Sequence, residues 1–213
     1  MPLAGRVLVD IVIARARCVR ADGCALLTSS RPVDDELAAR AQGAGVQVVR
    51  GDATDLVARS LQAIRETRAT HFLRVNGDSP LFAPELARHA MEQLSRADLI
   101  SNVVHRRFPY GVAVEWMASV PYAAMAERVR SGEREHVTLH LYRQIDELSA
   151  LSLEQERDDS HLRLALDTAE DQARLSALFG ASDPAATPYW QLVGLAPPAL
   201  SLRPLPRSLP DDG

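Results

Sequence analysis

Short apolar runs and longer amphipathic stretches take turns along almost the whole chain. CALLT at 24–28, VQVV at 46–49, HFLRV at 71–75 and DLISNV at 98–103 read as strands. VAVEWM at 112–117, LSALSL at 148–153 and LRLALD at 162–167 continue the series. Between them lie stretches with helical spacing: 6–20, DDELAARAQ, TDLVARSLQAIRET with Thr54 or Asp55 as N-cap, PELARHAMEQL, 119–131, 134–145 and AEDQARLSALF. Strands separated by helices must cross over right-handedly, which predicts a three-layer α/β/α architecture around a mostly parallel sheet. The chain of 213 residues suits one domain, expected over 1–180. From Ala181 the composition shifts to APPALSLRPLPRSLPDDG, which reads as a proline-rich C-terminal tail over 181–213, extended or disordered.

Composition removes several functions. The formal net charge of -4 lacks the basic surplus of a nucleic-acid binder. All 24 basic residues are Arg, so lysine chemistry, Schiff bases included, is absent. Cys18 and Cys24 are too few for a disulfide scaffold and have no metal-site spacing. No apolar run reaches membrane-spanning length, and the opening VLVDIVIA, broken by Asp10, is not a signal peptide. The expectation is a cytoplasmic protein with small-molecule substrates, no nucleic-acid or membrane partner, and a possible homodimer.

In sheets of this kind ligands gather beyond the carboxyl ends of the strands. RVNGDSPL at 74–81 places Asp78 just past the strand at 71–75, and LRLALDTAED places Asp167 at the end of the last apolar run. Each acid has a structural reading as well: Asp78 as the acid of an Asp-Ser-Pro turn, Asp167 as a helix N-cap. Two strand-end acids also suit a hard cation that keeps its waters and meets phosphate oxygens.

Five segments, in order, resemble those of the SpsF-like cytidylyltransferases (spore-coat polysaccharide biosynthesis protein F), relatives of the CMP-sialate and CMP-Kdo synthetases. They are RGDATDLVAR at 50–59, RVNGDSPL, Ser101-Asn102 followed by FPYGVAVEW, GEREHVT at 132–138, and SHLRLALDTAED at 160–171. The resemblance implies a GT-A-like nucleotide-diphospho-sugar transferase fold, Rossmann-like in its sheet. It implies transfer from CTP to an acidic sugar, giving a CMP-sugar and pyrophosphate. By the same resemblance Mg²⁺ would sit on Asp78 and Asp167, with Arg74 and Arg134 also catalytic. Gly77, Ser101, Asn102, Glu115, Glu135 and His136 would bind substrate, and Arg163 matches a further family arginine. GEREHVT is expected to border the same cleft, with His136 held by hydrogen bonds.

The departure is at the front, where the family's first strand and basic, glycine-containing phosphate loop have no counterpart. The expected fold is therefore N-terminally truncated, with a central strand missing and two inner sheet edges left free. Ala113 also stands where the family usually has an acid. Two classes of function stay open: an active cytidylyltransferase, and a family member that binds without turning over. A glycosyltransferase of the same fold would want a D-x-D cluster, which NGDSP does not supply. His136 and His140 in EHVTLH have zinc-helix spacing but no third ligand, and His140 reads as a surface residue. Arg106, Arg107, Phe108 and Tyr110 read as a solvated loop or a wall of the sugar pocket.

Overall fold

The computed structural model describes residues 2–206. The chain opens with a small hairpin of β1 (Pro2–Leu3) and β2 (Arg6–Val7), then α1 (Leu8–Arg17), β3 (Ala25–Ser29), α2 (Asp35–Gly43) and β4 (Gln47–Gly51). There follow α3 (Leu56–Thr67), β5 (His71–Arg74), α4 (Pro84–Met91), β6 (Leu99–Ser101), β7 (Glu115–Ala118) and α5 (Ser119–Ala126). The last elements are α6 (Leu139–Arg143), β8 (Ala150–Gln155), α7 (Ala169–Phe179), α8 (Tyr189–Leu192) and β9 (Leu200–Pro204).

The helix expected over 6–20 begins only at Leu8. Ala4 (φ 47°) and Gly5 (φ 75°) turn the chain left-handed, and Leu3 pairs with Arg6 ahead of the helix. The strand expected at 162–167 does not form beyond a bridge between Tyr110 and Arg163. Its backbone donors go to two loops instead: Leu164 N–H to Tyr110 and Leu166 N–H to Asp78. The helix expected over 134–145 shrinks to α6 and single turns on either side.

The proline-rich C-terminal segment differs most from expectation. Residues 181–206 fold back onto the domain: Tyr189 is fully buried, and β9 pairs antiparallel with β8 from Leu151↔Pro204 to Gln155↔Leu200. As an edge strand β9 can carry Pro204, whose missing N–H costs the sheet nothing on its outer side. Arg15, itself buried on α1, ties this segment down by donating to the carbonyls of Pro184 (2.9 Å), Thr187 (2.5 Å) and Phe82 (3.1 Å). Residues 207–213 of the expected tail lie outside the described residues.

The central layer is α/β and parallel-rich, but it comes in two pieces. β3 and β4 pair in parallel. The other piece has the order β5-β7-β6-β8-β9. Within it β6 and β8 are parallel, and β7 runs antiparallel to both β5 and β6. Among the described residues no strand pairs with the second edge of β3 or of β5. Among the described residues no strand ladder joins the two pieces, and every residue of β5 is only half buried where β6 is fully buried.

Two helices hold the pieces together. On one face, α1 sends Ile11 into the main core and Ile13 into the small core of β3 and β4. On the other, α3 packs on β3 and β4 while Leu61 and Ile64 meet Phe72 of β5. The apolar spacing of α3 and its Asp55 N-cap, which accepts from Ala58 N–H at 2.7 Å, account for its stability.

Candidate active site

β5 and β6 end, and α3 and α7 begin, along one rim of the layer. Asp78 follows β5 in a turn in which Ser79 N–H donates to Asn76 and Ser79 Oγ to Asp78 Oδ1 (3.0 Å). Asp78 is exposed, with no protein donor on its second oxygen among the described residues. Leu166 N–H donates to the Asp78 carbonyl at 2.9 Å, which sets the turn bearing Asp167 directly against the turn bearing Asp78.

The helix-cap role expected of Asp167 or Thr168 falls to Thr168. Its hydroxyl accepts from Asp171 N–H while the Asp171 carboxylate accepts from Thr168 N–H, a closed capping box. Asp167 is therefore not spent on the helix; its side chain is exposed and pairs with Arg163 through one oxygen. Hydrogen bonding from Arg174, then from the Asp167 N–H, pulls Asp171 down to about 2. Arg163 in turn lies over the Tyr110 ring, 4.7 Å from its centroid, with Arg106 at 5.3 Å. The reading of this loop as solvated holds for Arg106 and Tyr110, which are exposed, but not for Phe108, which is buried.

Arg74, Ser101 and Glu115 lie in one row. Arg74 is the last residue of β5, Glu115 the first of β7 and Ser101 the last of β6, and the strand register pairs Arg74 with Glu115 and Glu115 with Ser101. Arg74 donates to Glu115 at 2.8 Å; Tyr142 of α6 donates to the other Glu115 oxygen at 2.7 Å and lies 2.7 Å from Ser101 Oγ. Nothing in the sequence flags Tyr142, because TLHLYRQ gives no signal of its partners Glu115 and Ser101, 27 and 41 residues away in other elements.

The remaining expected residues separate. Gly77 is exposed, and a Cβ there would meet nothing within 4 Å. Asn102 is buried and spends its side chain on backbone, donating to Val112 O and accepting from Val114 N–H (both 2.8 Å), so it closes the 103–113 loop. Arg134 turns inward and donates to the α3 cap Asp55 at 2.5 Å, and its carbonyl accepts from Val57 N–H. The hydrogen-bonded role expected of His136 is not observed. Its side chain is exposed and pairs with Glu135, also exposed, at 3.5 Å, while its backbone N–H donates to Glu133. His140, expected at the surface, is buried edge-on against Tyr122, with ring centroids 5.0 Å apart. The amphipathic turn of α6 faces the core through His140 and Leu141, which inverts the reading. Among the described residues no three His, Cys, Asp or Glu side chains gather as a metal site.

This rim sits on a fold shared with known nucleotidyltransferases. A cytidylyltransferase from Leptospira borgpetersenii serovar Hardjo-bovis superposes with a TM-score of 0.83 at 24% identity, covering 91% of this chain and 84% of that one. A manganese complex of Rv0371c from Mycobacterium tuberculosis superposes with a TM-score of 0.51 at 20% identity, covering 83% of this chain and 89% of that one. The family model described as cytidylyltransferase matches residues 1–177, and the chain belongs to that family. In sequence it is 24% identical over 199 residues to the spore coat polysaccharide biosynthesis protein SpsF of Bacillus subtilis (strain 168), covering 84% of this chain and 78% of that protein. It is a nucleotidyltransferase of the SpsF-like kind. Among the described residues no helix is long and apolar enough to cross a membrane.

Proposed function

We propose that the chain joins CTP to an acidic sugar of the nonulosonate type, releasing pyrophosphate, with Mg²⁺ held by Asp78 and Asp167. The observation that supports this reading is the Leu166–Asp78 backbone hydrogen bond, which sets the turn carrying the exposed Asp167 against the turn carrying the exposed Asp78. The donor set suits a hard divalent ion. Among the described residues each acid keeps one oxygen without a protein donor, and two carboxylates leave room for the waters and phosphate oxygens that Mg²⁺ retains. When bound, the ion supplies screening of triphosphate charge. The manganese complex of the structural relative supports a divalent ion on this fold without fixing which one.

The chemistry is an in-line displacement. A sugar hydroxyl oxygen forms the new bond to the α-phosphorus, the bond to the bridging oxygen breaks, pyrophosphate leaves, and the hydroxyl proton passes to solvent. Positioning and charge stabilisation do most of such work. Arg74 uses one N–H on Glu115, and its other donors have no protein acceptor among the described residues, so they suit phosphoryl oxygens. Arg163 offers a second guanidinium at the same rim, half exposed beside Asp167.

A second reading, a family member that binds weakly and does not turn over, is favoured by the edges of β3 and β5, each of which lacks a second partner strand among the described residues. Pyrophosphate release from CTP and Mg²⁺ with acidic and with neutral sugars separates the two. Release with an acidic sugar, reduced on the order of 10²-fold in Asp78→Asn and in Asp167→Asn, is the expected result. Silence with every acidic sugar, or variants as fast as the parent, would overturn the proposal.

A further inference from the structure

The sheet face covered by α3, α5 and α6 is apolar through Phe72, Leu99 and Met117, which share a cluster with Leu61, Tyr122, Met125 and Leu141. Two residues further towards the rim the same face becomes polar, with Arg74, Glu115 and Ser101 side by side on three adjacent strands. Glu115 is 3% exposed and Ser101 fully buried. A carboxylate in that position is strongly destabilising unless both oxygens are satisfied.

Both are satisfied, by different partners. The donors run in one direction: Val103 N–H to Ser101 Oγ (3.2 Å), Ser101 O–H to the Tyr142 oxygen, Tyr142 O–H to Glu115. Only the second carboxylate oxygen remains, and Arg74 takes it with a single nitrogen. Were Tyr142 unable to donate, the freed oxygen would draw Arg74 into a two-pronged pairing, consuming the donors that now face the rim. The Arg74 side chain is 32% exposed against 4% for Glu115, so the guanidinium bridges a buried anchor and open solvent. Burial, then the Glu115 charge, holds the Tyr142 phenol well above its ordinary range, so it stays a donor.

We infer that Tyr142 is a positioning residue: by occupying one oxygen of Glu115 it restricts Arg74 to one hydrogen bond there, leaving the rest of the fork aimed at an anionic substrate group beside Asp78. This rests on the proposed nucleotidyl transfer, and two measurements keep the failures apart. The first is a double-mutant cycle on pyrophosphate release with Tyr142→Phe, Arg74→Met and both. Tyr142→Phe is expected to lower kcat/KM about tenfold, mostly by raising KM for CTP, the size of one lost hydrogen bond to a charged group. In the Arg74→Met background the same change should cost less than about twofold, since there is no fork left to aim. Losses that multiply in full, or a Tyr142→Phe enzyme with parental KM and kcat, overturn the inference. The second is a near-ultraviolet absorbance titration of the tyrosines, which needs no turnover. In Glu115→Gln the transition that Tyr142→Phe removes should move to lower pH, and an unmoved transition overturns the network. An inactive parent with the expected titration would instead defeat only the proposed function.

Discussion

Gly111 is where the loop after β6 touches the segment that carries Asp167, and replacing it by alanine should damage both stability and catalysis. A Cβ built there would lie 2.4 Å from Ala165 N, 2.6 Å from the Leu164 carbonyl carbon and 2.9 Å from Ala165 Cα. All three are backbone atoms, so no side chain can swing aside. The φ of +95° adds a second penalty for any residue with a Cβ. Left-handed strain costs about 1–2 kcal/mol and overpacking a further 1–3 kcal/mol or so, for a loss of about 2–5 kcal/mol. In a chain of this size that corresponds to a fall in Tm of about 10 °C. Relief requires the 163–167 segment to retreat, and Leu166 and Asp167 would move away from Asp78 with it. A displacement of about 1 Å in a positioned group can cost on the order of 10²-fold in rate. Gly77→Ala is the matched control, because its Cβ meets nothing within 4 Å; its Tm should stay within about 2 °C of the parent. Thermal melts and pyrophosphate release on both variants decide the matter. A Gly111→Ala protein that melts with the parent and turns over normally would refute the reasoning.

Arg15→Met relieves a buried charge but orphans three carbonyls. Burial depresses Arg15 from 12.5 to about 10, a cost of about 3 kcal/mol. The carbonyls of Phe82, Pro184 and Thr187 forfeit about 1–3 kcal/mol each. At the middle of that range, about 6 kcal/mol against about 3, the orphans win, lowering stability in denaturant melts by about 3 kcal/mol; a more stable variant would show the charge to be the larger effect. His140 is lowered from 6.5 by burial, with Arg134 adding to the effect and the Tyr122 backbone opposing it. The unfolded chain therefore takes up a proton near pH 6.5 that the folded one refuses, so stability is present above that pH and falls as the solution is acidified below it. His140→Phe should flatten this limb of a Tm-against-pH curve between about pH 6.5 and 5, and an unchanged limb would contradict the assignment.

The sequence made the layered architecture legible because its apolar period alternates between strand and helix over most of its length. α3 could be placed to within a residue, since Asp55 caps it and its apolar stripe is continuous. Asp78 does follow a strand, β5, whereas the segment before Asp167 forms none, and it is the Leu166–Asp78 bond that sets the two turns together. What escaped depends on contacts distant in sequence. LRLALD alternates like a strand, yet its donors are claimed by Tyr110 and Asp78. The segment after Ala181 has the composition of a tail, yet β8 supplies an edge for it and Arg15 a set of donors. His140 was assigned to the wrong environment because five helical residues in α6 are too few for periodicity to define a face.

The break between β3 and β5 bears on how the molecule comes apart. A continuous ladder would make the two sheet pieces open and close as one cooperative unit, whereas among the described residues the pieces are joined through α1 and α3, by apolar packing and side-chain hydrogen bonds such as Arg40–Asp10. The unit of β3, α2 and β4 is then a separate foldon, with amides expected to exchange from a partly opened state before those of β6 and β8. Since α3 follows β4 and is capped by Asp55, which Arg134 grips, opening of that unit is expected to loosen the Arg134–Asp55 contact. A ligand that bridges the rim from Asp78 to Arg134 would therefore slow exchange in β3 and β4 without touching either strand.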